Sequence, residues 1–205
     1  MYTCGNCTVH ACLTETKENL PKNCPIRNEE LMGGALKEYE APDVHQFYVE
    51  SSKIESAGYC QWPRMKEIVE FSKRMGYHKL GVAFCGGLRK EGKIVCDILR
   101  KNGFEVVSAI CKAGGYPKET VGMLDEDKVR PGRYEPMCNP IAQAMLLNEQ
   151  KTEFNITVGL CLGHDSLFYK YSEAYVTTLI AKDRVLAHNP AGALYCAESY
   201  FRDRI

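Results

Sequence analysis

Sulfur is where this sequence concentrates its chemistry: eleven cysteines in 205 residues, an odd number. Four of them open the chain as Cys4-x2-Cys7-x4-Cys12-x11-Cys24-Pro25. Two cysteines two residues apart can grip one metal through a tight turn, and Gly5 gives that turn its freedom. Four thiolates close the coordination of a tetrahedral Zn²⁺ or of a [4Fe–4S] cube. A proline straight after the last ligand is a habit of cluster-binding loops. His10 stands between Cys7 and Cys12 and could replace one thiolate, which favours zinc. The spacing predicts a metal site at Cys4, Cys7, Cys12 and Cys24. It leaves iron–sulfur and zinc both open.

Four further cysteines sit at expected element boundaries. Cys85, Cys111 and Cys161 directly follow three expected strands, Leu80–Phe84, Phe104–Ile110 and Phe154–Leu160, and Cys138 directly precedes Asn139-Pro140. In a parallel sheet all strand C-termini lie on one edge, and the following helices start there, so these four thiols would meet in the crevice where doubly wound folds bind ligands. A helix N-terminus also favours the thiolate. His164 and Asp165, in Gly-Leu-Cys-Leu-Gly-His-Asp, would lie at the same edge as candidate acid, base or ligand. The plainer alternative is that each cysteine packs as a small hydrophobe. Cys60, Cys96 and Cys196 lack such placement and read as structural.

Gly87-Leu88-Arg89-Lys90-Glu91-Gly92-Lys93 has P-loop spacing, but Ile94 stands where Ser or Thr would hold Mg²⁺. A weaker version keeps Arg89 and Lys90 as an anion site at a helix start. The preferred reading is a solvated first turn. His188 reads as a loop cap.

The elements that must position these groups follow from periodicity. Pro42-Asp43 opens a helix that Gly58 stops, and Trp62-Pro63 opens a second that ends at Gly76. From residue 79 strand and helix alternate: a strand at 80–84, a helix at 88–102 with Ile94, Val95, Ile98 and Leu99 inward, and a strand at 104–110. A long Gly/Pro-rich connection from 113 to 136 exceeds what a simple connector needs. Asn139 caps a helix to about Gln150. A strand at 154–160 and a helix from about Asp165 follow. Tyr175–Ile180 and Val185–Ala187 read as a hairpin or two edge strands, and a last helix covers about 191–201. The alternation predicts an α/β, three-layer fold with a mostly parallel sheet. The expected domains are a cysteine-rich metal-binding module at 1–30, a helical segment packed on the core at 31–78, and an α/β domain at 79–205. With almost no apolar periodicity, the first of these needs a staple.

Cys-Gly-Asn-Cys, four residues, another Cys and a later Cys-Pro resemble the [4Fe–4S] module of corrinoid iron–sulfur proteins, whose last gap is longer. The whole chain resembles an uncharacterised cysteine-rich family of predicted metal-binding proteins, domain of unknown function 1847. The likeness lies in the N-terminal cluster, Pro21–Pro25, Cys138-Asn139-Pro140, Gly159–Asp165, Lys182-Asp183-Arg184 and His188-Asn189-Pro190. It implies metal binding and brings no activity with it.

Composition sets the outer limits. Lys plus Arg equals Asp plus Glu at 26 each, and a formal net charge of zero argues against nucleic acid as the main partner. No apolar run approaches eighteen residues, so no membrane partner is expected. The first residues carry no secretory pattern, and the expected compartment is the cytoplasm. Three readings follow. One is an iron–sulfur protein with one or more [4Fe–4S] clusters, its second cysteine site serving redox or sulfur chemistry on a small molecule, supplied by an electron-transfer partner. The second is a non-enzymatic zinc-binding α/β protein. The third is a thiol-redox or metal-trafficking protein. Oligomeric state is not written in the sequence.

Overall fold

The computed structural model describes residues 1–15 and 17–205. The chain forms two compact units, Met1–Ala57 and Gly58–Ile205.

The first unit begins with three short 3-10 turns, at Cys4–Asn6, Ala11–Leu13 and Pro25–Arg27. Helices α1 (Glu29–Glu38) and α2 (Pro42–Gly58) follow. Asn28 caps α1 by accepting a hydrogen bond from the Leu31 amide at 3.2 Å. The sequence pattern names no helix ahead of Pro42, because Gly33-Gly34 weakens α1 from within and none of its residues is buried. Ala11 is the single buried residue among those described in 1–30. So little buried apolar surface cannot by itself hold those turns in place.

The second unit is an α/β fold built on a four-stranded, all-parallel sheet. Helix α3 (Arg64–Arg74) leads into β1 (Lys79–Phe84), α4 (Arg89–Lys101) and β2 (Glu105–Ile110). After the long connection come α5 (Pro140–Glu149), β3 (Phe154–Val158), α6 (His164–Tyr171), β4 (Tyr175–Ile180) and the short α7 (Ala191–Tyr195). Strand order is β2-β1-β3-β4, so the winding reverses between β1 and β3. That reversal opens a crevice at the carboxyl ends of the two central strands.

Two helical layers cover the sheet. Register pairs Leu80 with Phe154, so both point to one face. Phe71 of α3 lies 5.4 Å, ring to ring, from Phe154 on that face. Gly92 of α4 presses on Phe84, where an added Cβ would come within 2.8 Å of the ring. Gly81 points to the opposite face, where its missing Cβ leaves room for Leu147 of α5 and the Asn155 amide. Helix α6 joins α5 there, with Asn148 Nδ2 donating to the Tyr171 carbonyl at 2.8 Å. Leu80, Val82, Ile156 and Val158 are fully buried between the layers, each contributing about 1.5–3 kcal/mol relative to exposure. Both central strands are buried on both faces; β1 therefore reads as a continuous apolar run, while β3 admits Asn155 and Thr157 because each is hydrogen-bonded, to Thr152 and Ser172 and to Thr178.

Three local expectations need correction. Ile94 is 57% exposed; Val95 and Leu99 face inward as expected, joined by Gly92 and Cys96 rather than by Ile94. No hairpin follows β4: it pairs parallel with β3, and residues 185–187 lie in a turn. Asp183 Oδ1 accepts from the amides of Val185 and Leu186, both at 2.8 Å, and His188 Nδ1 accepts from the Asp183 amide at 3.1 Å. Those side-chain bonds close the backbone on itself and leave no strand edge to pair. The last helix stops at Tyr195 rather than near 201. Among the described residues, no helix is long and apolar enough to cross a membrane.

Candidate functional site

Strand ends bring four cysteines to one edge. The Cys85 amide donates to the Val158 carbonyl at 3.0 Å, extending β1 along β3 by one residue. The Cys111 amide donates to the Phe84 carbonyl at 2.9 Å and does the same for β2. Asn139 then ties the next segment in, its amide reaching the Cys111 carbonyl at 2.7 Å while its side chain caps α5 through the Ala142 amide at 3.0 Å. That double role of Asn139 brings its neighbour Cys138 beside Cys111. Fully buried Gln143, one turn into α5, donates through Nε2 to the carbonyls of Phe84 (3.2 Å) and Ala109 (2.7 Å). It therefore clamps the ends of β1 and β2 together.

Cys161 arrives by a sharper route. After β3 the chain turns at Gly159, whose φ of +63° suits glycine and whose Cα presses on Leu88. The Cys161 carbonyl then accepts the amides of His164 (2.9 Å) and Asp165 (3.1 Å) to begin α6.

The sulfurs are electrostatically unlike one another. Cys111 neighbours both Cys85 and Cys138, and its single thiol proton can be donated to one or the other. The bond from Cys111, the Gly87 amide and the Lys182 ammonium lower the Cys85 pKa to about 4. Cys138 is lowered to about 5, first by the bond to Cys111 and then by Lys112. Cys111, between two thiolates and buried, is pushed strongly upward and stays protonated. Cys161 is raised by burial despite Arg184 beside it. Three cations touch sulfur directly. Lys182 Nζ lies 3.2 Å from Cys85 Sγ, Lys112 Nζ 3.3 Å from Cys138 Sγ, and Arg184 Nη2 3.0 Å from Cys161 Sγ. The Gly86 amide adds a bond to Cys111 Sγ at 3.2 Å.

His164 lines a cavity of about 670 Å³ together with Cys138 and Cys161, and its buried Nδ1 has no partner among the described residues. Asp165 does not face the sulfurs through that bond network; its Oδ1 accepts the Ser166 amide at 2.8 Å, within the first turn of α6. Arg89 and Lys90 lie exposed at the start of α4. Cys96 is buried within α4, Cys196 is half-buried, and Cys60 is exposed with a φ of +54°.

The N-terminal cysteines form a second grouping. Cys4, Cys7, Cys12, Cys24 and His10 all line one cavity of about 230 Å³. Backbone bonds set their turns: Cys7 N–H to the Cys4 carbonyl at 3.1 Å and Cys24 N–H to the Pro21 carbonyl at 3.0 Å. Arg27 pins the loop ahead of Cys24 through the carbonyls of Leu20 (2.6 Å) and Pro21 (3.0 Å). In neither grouping, among the described residues, are three His, Cys, Asp or Glu side chains already drawn together as a ligand set for a metal ion.

Sequence reasoning missed the three cations on sulfur. Lys112 directly follows Cys111, a signal available in the sequence. Lys182 and Arg184 reach sulfurs 97 and 23 residues away, and only the position of β4 brings them there.

Residues 24–179 match the family described as protein of unknown function, DUF1847. The chain belongs to this family. The matched span holds Cys24 and all four sheet-edge cysteines, and it begins after Cys4, Cys7 and Cys12. The uncharacterized protein MJ0455 of Methanocaldococcus jannaschii is 44% identical over 192 residues, 94% of this chain and 93% of that protein. No solved structure matches this DUF1847 chain.

Proposed function

We propose that the sheet edge is the functional centre of this protein, and that Cys85, Cys111, Cys138 and Cys161 there bind a thiophilic metal, an iron–sulfur cluster in the leading reading. The observation that carries the proposal is that three strand ends and one helix start place four cysteines at one edge of the sheet, where neighbouring donors and cations lower the pKa of Cys85 and Cys138. Thiolates are soft donors, and this donor set suits iron–sulfur clusters or Zn²⁺ rather than hard cations. In the present arrangement Lys112, Lys182 and Arg184 serve as the counter-ions. A bound metal would take over that role, so the sulfurs must first leave these partners. Such a cluster would supply one-electron chemistry beside the cavity that holds His164.

The N-terminal cysteines are the second proposed site, with Zn²⁺ or a [4Fe–4S] cluster held by Cys4, Cys7, Cys12 and Cys24. Support comes from their shared cavity and from the near absence of buried apolar surface in 1–30. The enzyme class proposed is an oxidoreductase or a sulfur-chemistry enzyme acting on a small molecule in the cytoplasm, fed by an electron-transfer partner.

Purification without oxygen, a visible spectrum, and iron, acid-labile sulfide and zinc analysis test this. A brown protein that loses part of its iron and sulfide in Cys138→Ser/Cys161→Ser supports the sheet-edge cluster. Unchanged metal content in that variant removes it. A colourless protein with a single zinc supports the non-enzymatic zinc reading.

One observation favours a second reading, thiol-redox chemistry without resident metal at the edge. Among the described residues no three ligands are preset there, while the Cys138 thiolate lies against the protonated Cys111 thiol, as nucleophilic and resolving cysteines do. In that case the edge carries no metal, and mild oxidation forms a disulfide within the quartet.

A further inference from the structure

The connection from residue 113 to 136 is braced from within, and the bracing engages three of its five acids, Glu119, Asp125 and Glu135. Lys112 Nζ holds its far end through the Pro136 carbonyl at 2.6 Å. Pro117 and Pro136 form a bridge, flanked by Lys118 N–H to the Glu135 carbonyl at 3.0 Å and Met137 N–H to the Tyr116 carbonyl at 2.7 Å. Lys118 pairs with Glu135 at 2.7 Å. Lys128, its ammonium enclosed, takes both Glu119 and Asp125, and also donates to the Arg133 carbonyl at 3.1 Å. Asp125 accepts the Gly132 amide at 2.7 Å, and Glu135 accepts the Arg130 amide at 2.6 Å. These contacts fix the backbone on which Arg130 and Arg133 ride. Among the described residues neither guanidinium has an ion-pair partner.

Both arginines line the 670 Å³ cavity that ends at Cys138, Cys161 and His164. Five basic side chains face it, Lys112, Lys118, Arg130, Arg133 and Arg184, against one carboxylate, Glu135, already spent on Lys118. Val121, Met123 and Met137 supply apolar wall. The volume suits a small organic molecule. Planar guanidinium forks fit carboxylate and phosphate groups in pairs of hydrogen bonds. In a protein of zero net charge, this local positive excess inside one cavity is not a general property of the surface.

We infer that this cavity is a binding site for a small organic anion, its charged group on Arg130 and Arg133 and its body lying against Cys138, Cys161 and His164. The inference rests on the reading of the sheet edge as the functional centre, and adds the class of substrate. Carboxylates and phosphates share the chemistry that two guanidinium groups recognise, and the test separates them.

The protein as purified is treated with phenylglyoxal, which modifies arginine, with and without millimolar succinate or pyrophosphate, and modified sites are located by peptide mass mapping. Protection of Arg130 and Arg133 by several-fold, with exposed Arg202 unaffected, supports the site, and the more protective anion names the charged group. In parallel, iodoacetate and iodoacetamide are compared at Cys138 and Cys161. A free thiol prefers the neutral reagent, and a thiol behind an anion site is expected to reverse that preference, the reversal disappearing in Arg130→Gln/Arg133→Gln. Equal modification of both arginines with and without either anion overturns the inference, whatever the state of the thiols. Metal analysis of the same sample reports on the sheet-edge proposal separately: metal without arginine protection sinks the anion site alone, and arginine protection without metal sinks the cluster alone.

Discussion

The Lys182 ammonium lies 3.2 Å from the Cys85 sulfur, joining the residue after the first strand to a turn beyond the last one. It acts together with the Cys111 hydrogen bond and the Gly87 amide to hold Cys85 as a thiolate. Lys112 does the same for Cys138 from the neighbouring position to Cys111. The centre is thus two thiolates, each with its own lysine, on either side of a thiol that keeps its proton.

Lys182→Met is expected to raise the Cys85 pKa, since one of its stabilising charges is lost. Lys182→Arg should retain most of the effect. Acid titration of thiolate ultraviolet absorbance checks this, and an unchanged midpoint in the methionine variant would remove Lys182 from the account.

The pH behaviour of Cys138 follows from its lowered value of about 5. Its alkylation by iodoacetamide in metal-free protein should be nearly flat over roughly pH 6 to 8, where an ordinary thiol with a pKa of about 8.5 gains about tenfold per unit. Stability carries the same sign. A depressed thiol contributes in full above the unfolded pKa of about 8.5, and the contribution is lost as pH falls through about 5. Cys111, raised instead, stays protonated throughout that window and adds no slope. Urea midpoints should therefore climb with pH in this window for the parent protein, and less steeply in Cys138→Ser.

Gln143→Leu removes the one side chain that donates to both Phe84 and Ala109. The Phe84 carbonyl keeps the Cys111 amide and the unpartnered Gln143 Oε1 is also removed, so the loss is about 0.5–1.5 kcal/mol in urea unfolding. A loss below a few tenths would show that the clamp is redundant.

Gly81→Ala drives a methyl towards the Asn155 amide, with Leu147 within 2.8 Å of the same point. Overpacking at a site this close costs about 1–3 kcal/mol. The reduced protein should show it by thermal unfolding, with the thiolate titration little changed, because Gly81 lies four residues before Cys85.

The fold was legible wherever local pattern and burial agree. Leu80–Phe84 shows as an unbroken apolar run, and Phe154–Val158 is buried throughout, its Phe, Ile and Val alternating with the buried polar Asn155 and Thr157. Asn139-Pro140 announced α5 because cap and first-turn chemistry are local. The segment after β4 misleads for the opposite reason. Lys182-Asp183 has the look of a hairpin turn, but Asp183 spends its carboxylate on the next amides and His188 closes the loop. Periodicity alone points Ile94 inward, although the stripe that packs on the sheet is set by Gly92 fitting against Phe84. In the site, sulfur positions could be read from strand ends. The cations could not, because a contact between Arg184 and Cys161 depends on strand order, which no local pattern encodes.

Because β3 is inserted between β1 and β4, the last sulfur is delivered only once the sheet has closed around a late-synthesised strand. A chain still emerging from the ribosome holds Cys85, Cys111 and Cys138 before Phe154–Val158 exists to buttress them. Parallel pairing between such remote segments is slow to form. Assembly of the four thiols at one edge consequently waits for β3, and until it pairs Cys85 and Cys111 stand at the ends of strands that lack their central neighbour.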